Sequence, residues 1–429
     1  MSIPLDRLYH YIENIAKEIR GDDVVIYHFY PHGSKKIEDL TRLNDVSWKN
    51  GRLFPQIYCY DQEPLNFDFY SNIPSFINDE KLSQIFISNY PELAFNNIRY
   101  DFVNIFDKAI LLHSEKQSVD VLKYQQNNFI PVYYWSHAFI ALDWFRYAQH
   151  QAQIKNVKKT FLIYNRAWSG TREYRLKFID LLIKNNLISS CQTSCNSVEP
   201  ELQVHYSKYQ FIDQQWAPEC RLEDYTQPTV ASSYSSADFN LTDYCETEFE
   251  VVLETLFDDP RIQLTEKILR PIACGQPFLL LGTAGSLQYL RDYGFKTFSD
   301  IIDESYDTVN NARERMESVI NVMNTISKWT TTEKINNLKK LNEITKYNQQ
   351  YFFSKKFFDY IKTEFKQNLT QGLSELENTN TSNRFFNMRK YLFPHDQSDF
   401  YSTADTPLRT RKDLLDIIKT AKKYQMRHQ

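Results

Sequence analysis

Glycine is scarce in this chain, 9 residues in 429, whereas tyrosine and phenylalanine are abundant at 29 and 30. Positive charge is not in excess either. The formal net charge of −4 excludes a strongly basic coat that would bind nucleic acid regardless of sequence. No apolar run approaches the roughly 20 residues that a membrane-spanning helix needs, so no membrane span is expected. The first residues, with Asp6, Glu13 and Glu18, lack the pattern of a secretory leader, and a cytoplasmic location is expected. Cys191 and Cys195 stand four apart, but no second pair and no histidine pair completes a zinc site. Reduced thiols are the expectation. What remains is the composition of a folded protein, 42% hydrophobic and 24% charged, in a chain long enough for two domains.

Hydrophobic patterning supplies the architecture. Leu5, Leu8, Ile12, Ile15 and Ile19 recur at helical spacing over residues 3–20. Strand-type runs follow at 23–29, 54–60, 84–88, 108–113 and 129–135, separated by polar or helical segments. That alternation predicts a parallel sheet covered on both faces. A second series comprises a helix over 138–156, a polar link at 155–159, a strand at 160–164 and a helix at 172–185. An irregular stretch over 191–240 comes next, then strand-like runs at 237–241 and 249–254. A helix at 265–274, a strand at 277–281 and a short helix at 286–293 complete this half. Two helices are expected over 308–350, a helical aromatic segment over 351–367, an extended or disordered stretch over 375–410 and a final helix over 411–428. The expected fold class is α/β, with two Rossmann-like domains at 1–156 and 157–350 and a helical C-terminal extension at 351–429.

Chemistry concentrates at a few points. Thr265-Glu266-Lys267 opens an amphipathic helix that stops at Gly275 and feeds an apolar strand. A helix N-terminus favours phosphate through its dipole and free N–H groups. Glu266 would accept hydrogen bonds from ribose hydroxyls, and Lys267 would pair with a diphosphate oxygen. The bland alternative is a charged first turn with Thr265 as N-cap. Asn165, Arg166, Arg172 and Arg175 stand at the mouth of a strand–loop–helix unit, where guanidinium groups suit bidentate phosphate recognition. A solvated basic face is the alternative. Asp61 and Glu63, just before Pro64, are candidates for a general base, or else ordinary turn residues. His137, after the aromatic run at 133–135, would orient a substrate or carry a proton, or serve as a satisfied histidine at a domain seam.

Together these motifs resemble a glycosyltransferase of the GT-B class, in which two Rossmann-like domains face each other. The likeness is to the α1,3-fucosyltransferase family and related phage and bacterial enzymes. It rests on Phe161-Leu162-Ile163-Tyr164-Asn165 followed by Arg172, on Glu254-Thr255, on Leu264-Thr265-Glu266-Lys267, and on Glu63-Pro64. It covers mainly residues 160–300. Thr255 stands where the family has asparagine, and Leu264 where it has an aromatic ring, so fucose is not implied. The resemblance implies a nucleotide-sugar donor held by Asn165, Arg166, Arg172, Arg175, Glu254, Thr265, Glu266 and Lys267. It also implies inverting transfer with Glu63 as base. No Asp-x-Asp signature marks a metal-diphosphate site, so no obligatory metal is expected, the cationic side chains taking that role.

The acceptor is read from less. Arg409, Arg411, Lys412, Lys419, Lys422, Lys423 and Arg427 outweigh Asp413 and Asp416 in the tail, a local basic patch suited to a phosphate backbone. The wealth of Asn, Lys, Tyr and Phe and the lack of Gly resemble large-phage proteins. A hydroxymethylated pyrimidine in phage DNA is therefore the leading acceptor expectation, with a glycan as the alternative. A non-catalytic module binding a nucleotide or nucleic acid is the reading from a different class.

Overall fold

The computed structural model describes residues 14–19, 25–29, 40–42, 56–59, 109–114, 116, 132–148, 155–200, 202–222 and 240–378. The chain divides into two compact units. The first takes in Met1–Arg7 and Ser136–Lys362, the second Leu8–Trp135 and Thr363–Gln429.

The second unit holds strands β1 (Val25–Phe29), β2 (Leu40–Arg42), β3 (Gln56–Cys59), β4 (Ala109–His113) and β5 (Val132–Tyr134), in the order β2-β1-β3-β4-β5. All neighbours are parallel except β1 and β2, where Tyr27 lies opposite Arg42. The runs expected at 23–29, 54–60, 108–113 and 129–135 contain these parallel strands. β2, only Leu-Thr-Arg, carries no hydrophobic signal of its own. The strand expected at 84–88 lies outside the described residues. Residues 14–19 are helical and bury Ile15 and Ala16.

The first unit is built on a parallel sheet of β6 (Lys159–Tyr164), β7 (Cys191–Ser194), β10 (Thr247–Leu253) and β11 (Phe278–Leu281), in the order β11-β10-β6-β7. A small antiparallel pair, β8 (Val198–Glu199) and β9 (Val204–His205), lies between β7 and β10 in sequence. Its helices are α1 (Ala138–Trp144), α2 (Tyr174–Lys184), α3 (Leu241–Glu246), α4 (Glu266–Cys274), α5 (Ser286–Asp292), α6 (Ala312–Ser327), α7 (Thr331–Phe352) and the start of α8 (Lys355–Asn378). α4 packs against α1 and α7, and α6 packs against α2. From β6 the chain moves outward to β7, then returns to the other side of β6 for β10 and β11. The sheet order therefore reverses between β6 and β10, the position where open α/β sheets bind ligands beyond the strands' carboxyl ends.

Four expectations are corrected. Of the 237–241 run, residues 237–239 lie outside the described residues, and the rest is no strand: α3 starts at Leu241, and Asn240 caps it by accepting from the Thr242 N–H at 3.0 Å. An N-cap asparagine before an apolar residue outweighs the β-propensity of so short a run. The stretch from 191 is not irregular, because Cys191-Gln192-Thr193-Ser194 pairs with β6 residue for residue. Its polar side chains gave no strand signal. The helix expected over 138–156 ends at Trp144, and residues 375–378, expected to be extended, belong to α8. The expected tail helix at 411–428, with the basic patch, lies outside the described residues.

A buried polar network ties α4 to the sheet. The Arg270 guanidinium donates to a Glu250 carboxylate oxygen at 2.5 Å and to the Tyr244 hydroxyl at 3.1 Å, and stands 4.4 Å from the centroid of the Tyr164 ring. The Tyr164 hydroxyl donates to Asp243 at 2.8 Å, and the Gln192 amide donates to the other Asp243 oxygen at 2.5 Å. Burial works against the Arg270 charge, but Glu250 and Tyr244 outweigh it and hold its pKa well above the ordinary value. Removing one partner of a buried pair leaves the other charge uncompensated. Glu250→Gln is therefore expected to cost about 3–5 kcal/mol of stability, read by calorimetric unfolding; an unchanged transition would refute the central place given to this pair.

On the outer side of α2, Glu219 is held at about 2, far below its ordinary 4.5, by hydrogen bonds from Lys177 and Lys184. A depressed carboxylate contributes stability that is complete above its ordinary pKa and is lost as pH falls toward its folded value. Carboxyl-carbon NMR should accordingly place the Glu219 midpoint near 2. A midpoint near 4.5 would show that the two lysines do not hold it.

Candidate active site

The carboxyl ends of β6 and β10 open onto two loops that buried side chains hold in place. Arg175, buried in the first turn of α2, donates to the Ala167 carbonyl at 2.7 Å, the Leu253 carbonyl at 2.8 Å and the Glu254 carbonyl at 3.0 Å. It therefore joins the loop after β6 to the loop after β10. Burial lowers its pKa, yet the carbonyl oxygens retain the charge as their donor. Next to it the Tyr174 hydroxyl donates to the same Glu254 carbonyl at 2.6 Å, and burial pushes its pKa up to about 12. The sequence placed Arg175 at a phosphate, whereas the structure gives its guanidinium to backbone carbonyls.

Glu254 then determines where α4 begins. Its buried carboxylate accepts from the Thr265 N–H at 3.1 Å and from the Thr265 hydroxyl at 2.6 Å. Thr265 in turn caps α4 by accepting from the Lys267 N–H at 3.3 Å. The chain from 254 to 265 is thus closed into a loop pinned at both ends. Gly275 ends α4 in the left-handed region, φ 67°, with the Gln276 N–H bonded to Pro271 at 2.9 Å.

This start of α4 brings several expected site residues together. The Lys267 ammonium donates to Glu266 at 2.9 Å and to the hydroxyls of Thr255 and Thr265, each at 3.2 Å. The other Glu266 oxygen lies 3.4 Å from Nδ1 of His137. Glu266 and His137 are buried, while the Lys267 side chain retains 21% exposure. Lys267 is thus the member of the group that reaches solvent, backed by Glu266, which is backed by His137.

Asn165 is buried after β6. Its N–H donates to the Ser194 hydroxyl at 3.1 Å, while its side-chain carbonyl oxygen has no hydrogen-bond partner. Arg166 is exposed and Arg172 half-buried on the same loop. Asp61 and Glu63 follow β3 in sequence and lie outside the described residues.

Two further carboxylates lie near helix starts at this edge of the sheet, and one of them accepts from the N–H groups of its helix. Near the start of α2, the buried Glu173 carboxylate accepts from the N–H groups of Ile212 and Asp213 at 2.9 and 3.2 Å and from the Tyr209 hydroxyl at 2.9 Å. That loop also places the Tyr209 hydroxyl on the Gly170 N–H at 3.2 Å, closing over the β6–α2 turn. At α5, Asp307 accepts from the Leu287 and Gln288 N–H groups at 3.0 and 3.3 Å, filling the anion position with its own carboxylate.

Sequence reasoning missed Glu173, Tyr174 and Arg315. Arg315 donates to the carbonyls of Gly282 at 3.1 Å, Phe257 at 2.5 Å and Val309 at 2.6 Å, bracing the mouth of β11 against the 254–265 loop. Its signal was available: it stands in the stripe with Met316, Val319 and Ile320, a charge on the face that should be apolar.

Among the described residues no group of His, Cys, Asp or Glu is arranged to hold a metal ion, and no described helix is long and apolar enough to cross a membrane. No protein-family model, curated protein or solved structure matches this chain.

Glu254→Ala would strip two donors on Thr265 of their buried acceptor. Its expected cost is about 2 kcal/mol or more, accompanied by faster amide exchange across 254–267; exchange as slow as in the parent would mean that the loop is fixed by something else.

Proposed function

We propose that the protein is a nucleotide-sugar-dependent glycosyltransferase of the GT-B class, with the first unit binding the donor. One observation carries this reading. α4 presents a partly exposed lysine at its start, beside the place where the sheet order reverses, whereas the start of α5 is taken up by Asp307. An anionic diphosphate would therefore meet Lys267 and the α4 dipole there. Asn165, Arg166 and Arg172 approach from the β6 loop, and Glu254 and Arg175 hold the floor.

In this reading Lys267 exchanges Glu266 for a diphosphate oxygen, and His137 keeps Glu266 in place as a positioning residue. Glu63 takes the proton from the acceptor hydroxyl, with Asp61 beside it in sequence. The hydroxyl oxygen bonds to the anomeric carbon as the bond from that carbon to the diphosphate breaks, and the diphosphate leaves with the electron pair. Lys267 and Arg166 or Arg172 stabilise the charge that it gathers, with inversion at the sugar. A hydroxymethylated pyrimidine in DNA is the acceptor this reading favours, in a cytoplasmic setting. A glycan acceptor is the alternative.

A thermal-shift panel of nucleoside diphosphates and their sugars tests the donor site. A ligand at 100 times its dissociation constant stabilises by about 2.7 kcal/mol. Lys267→Ala should abolish the shift given by the best ligand, and an undiminished shift would remove Lys267 from the diphosphate site. Glu63→Gln should keep the shift and lose transfer. Parent-like transfer by that variant would exclude Glu63 as the base, and the absence of any shift across the panel would favour a different class of protein.

A further inference from the structure

A run of tyrosines leads away from the candidate site across the first unit. Tyr289 of α5 lies 4.9 Å, centroid to centroid, from Tyr293, and Tyr293 lies 5.4 Å from Tyr360 of α8. The Tyr293 carbonyl accepts from the Tyr351 hydroxyl at 2.9 Å, and the Tyr351 ring runs parallel to that of Tyr347 with centroids 6.0 Å apart. The Tyr347 hydroxyl donates to the Gly294 carbonyl at 3.3 Å. Gly294 is required for this arrangement: its φ is 90°, and a Cβ there would come 2.7 Å from the Tyr351 hydroxyl oxygen.

The hydroxyls of Tyr347 and Tyr351 are thus fastened to the backbone, while Tyr347 and Tyr360 remain 37% and 46% exposed. Cations lie over the rings. The Lys296 ammonium is 4.3 Å from the Tyr347 centroid, and that of Lys356 is 6.0 Å from the Tyr351 centroid. Of the nearby acids, Asp292 accepts from Gln288 and Asp359 pairs with Lys355, while the exposed Glu343 stands one helical turn before Tyr347 on α7. At its inner end the run borders a small cavity that Tyr289 and Tyr293 share with Ser136 and Leu264, the neighbours in sequence of His137 and Thr265.

We propose that this tyrosine track binds single-stranded nucleic acid, a base stacking on Tyr360 and the phosphates meeting Lys356 and Lys296, which Tyr347 holds over its ring. Every base offers a flat face to an exposed ring. A neutral glycan would also stack, but it would leave the ammonium groups without a role. The track deepens the glycosyltransferase reading by naming the polymer that carries the acceptor, and for that role it rests on that reading. Binding itself does not depend on it.

The test is fluorescence anisotropy of a labelled oligothymidylate with the full chain. Tyr360→Ala should weaken binding about tenfold, while Tyr360→Phe, which keeps the ring, should stay within about twofold of the parent. Lys296→Gln should flatten the salt dependence. No binding by the parent, or parent-like binding by an alanine variant whose circular dichroism is native, would overturn the proposal. So would displacement of the oligonucleotide by a neutral oligosaccharide, which would assign the rings to glycans. Lys267→Ala should bind the oligonucleotide like the parent. Oligonucleotide binding without any nucleoside-diphosphate shift would sink the donor reading alone, and the reverse pattern would sink the track alone.

Discussion

Strands in a parallel sheet end in carbonyl oxygens that the sheet no longer satisfies, and a buried carbonyl without a donor is costly. In the first unit that need is met by guanidinium groups. Arg175 spans the loops after β6 and β10, and Arg315 spans the mouth of β11 and the 254–265 loop. One guanidinium offers several donors in a fixed plane, so a single side chain can hold two loops at a set separation. Burial disfavours the charge of both, and the carbonyls repay that cost only while the loops keep their places. The shape of the candidate site therefore depends on two buried guanidinium groups bonded to backbone carbonyls.

The same logic extends to carboxylates. Glu254, Glu173 and Asp307 each accept from hydroxyl or backbone N–H donors and fix a loop or a helix start. These acids lie beside helix N-termini that the sheet would otherwise present to an anion. Among the described residues, α4 is where a lysine of the first turn reaches solvent beside them, and its ammonium is balanced by Glu266. An incoming anion would compete with that internal ion pair, so part of its Coulomb gain would replace one already present.

Much of the secondary structure was legible because its signals were local. The apolar runs of β4, β10 and β11 and the Gly275 stop of α4 could be read in windows of a few residues. β7 could not, since Cys-Gln-Thr-Ser owes its place to pairing with β6 and to the Asp243 contact of Gln192. β2 escaped for the same reason, and the start of α3 was hidden because Phe239 and Leu241 read as strand-like and outweighed the Asn240 cap. At the candidate site, the residue types at Glu254, Thr265, Glu266 and Lys267 were visible as a polar group beside an apolar strand. Their connections were not, because the bond from Glu254 to Thr265 depends on how the intervening loop closes. Arg175 shows the limit most plainly: an arginine beside a phosphate-type turn looks the same in sequence whether it faces a ligand or a set of carbonyls.

The path of the chain has a practical corollary for dissection. The boundary between the compact units falls inside α8, which carries Phe357 against Phe295 on one side of it. On the other side it carries Glu364 to Lys116 and Asn368 to the Tyr134 carbonyl. Neither unit is a continuous stretch of sequence. A gene cut at any single position would leave at least one fragment missing a strip of its own core, so the two halves would have to be co-expressed, or the chain permuted, for either unit to be studied alone.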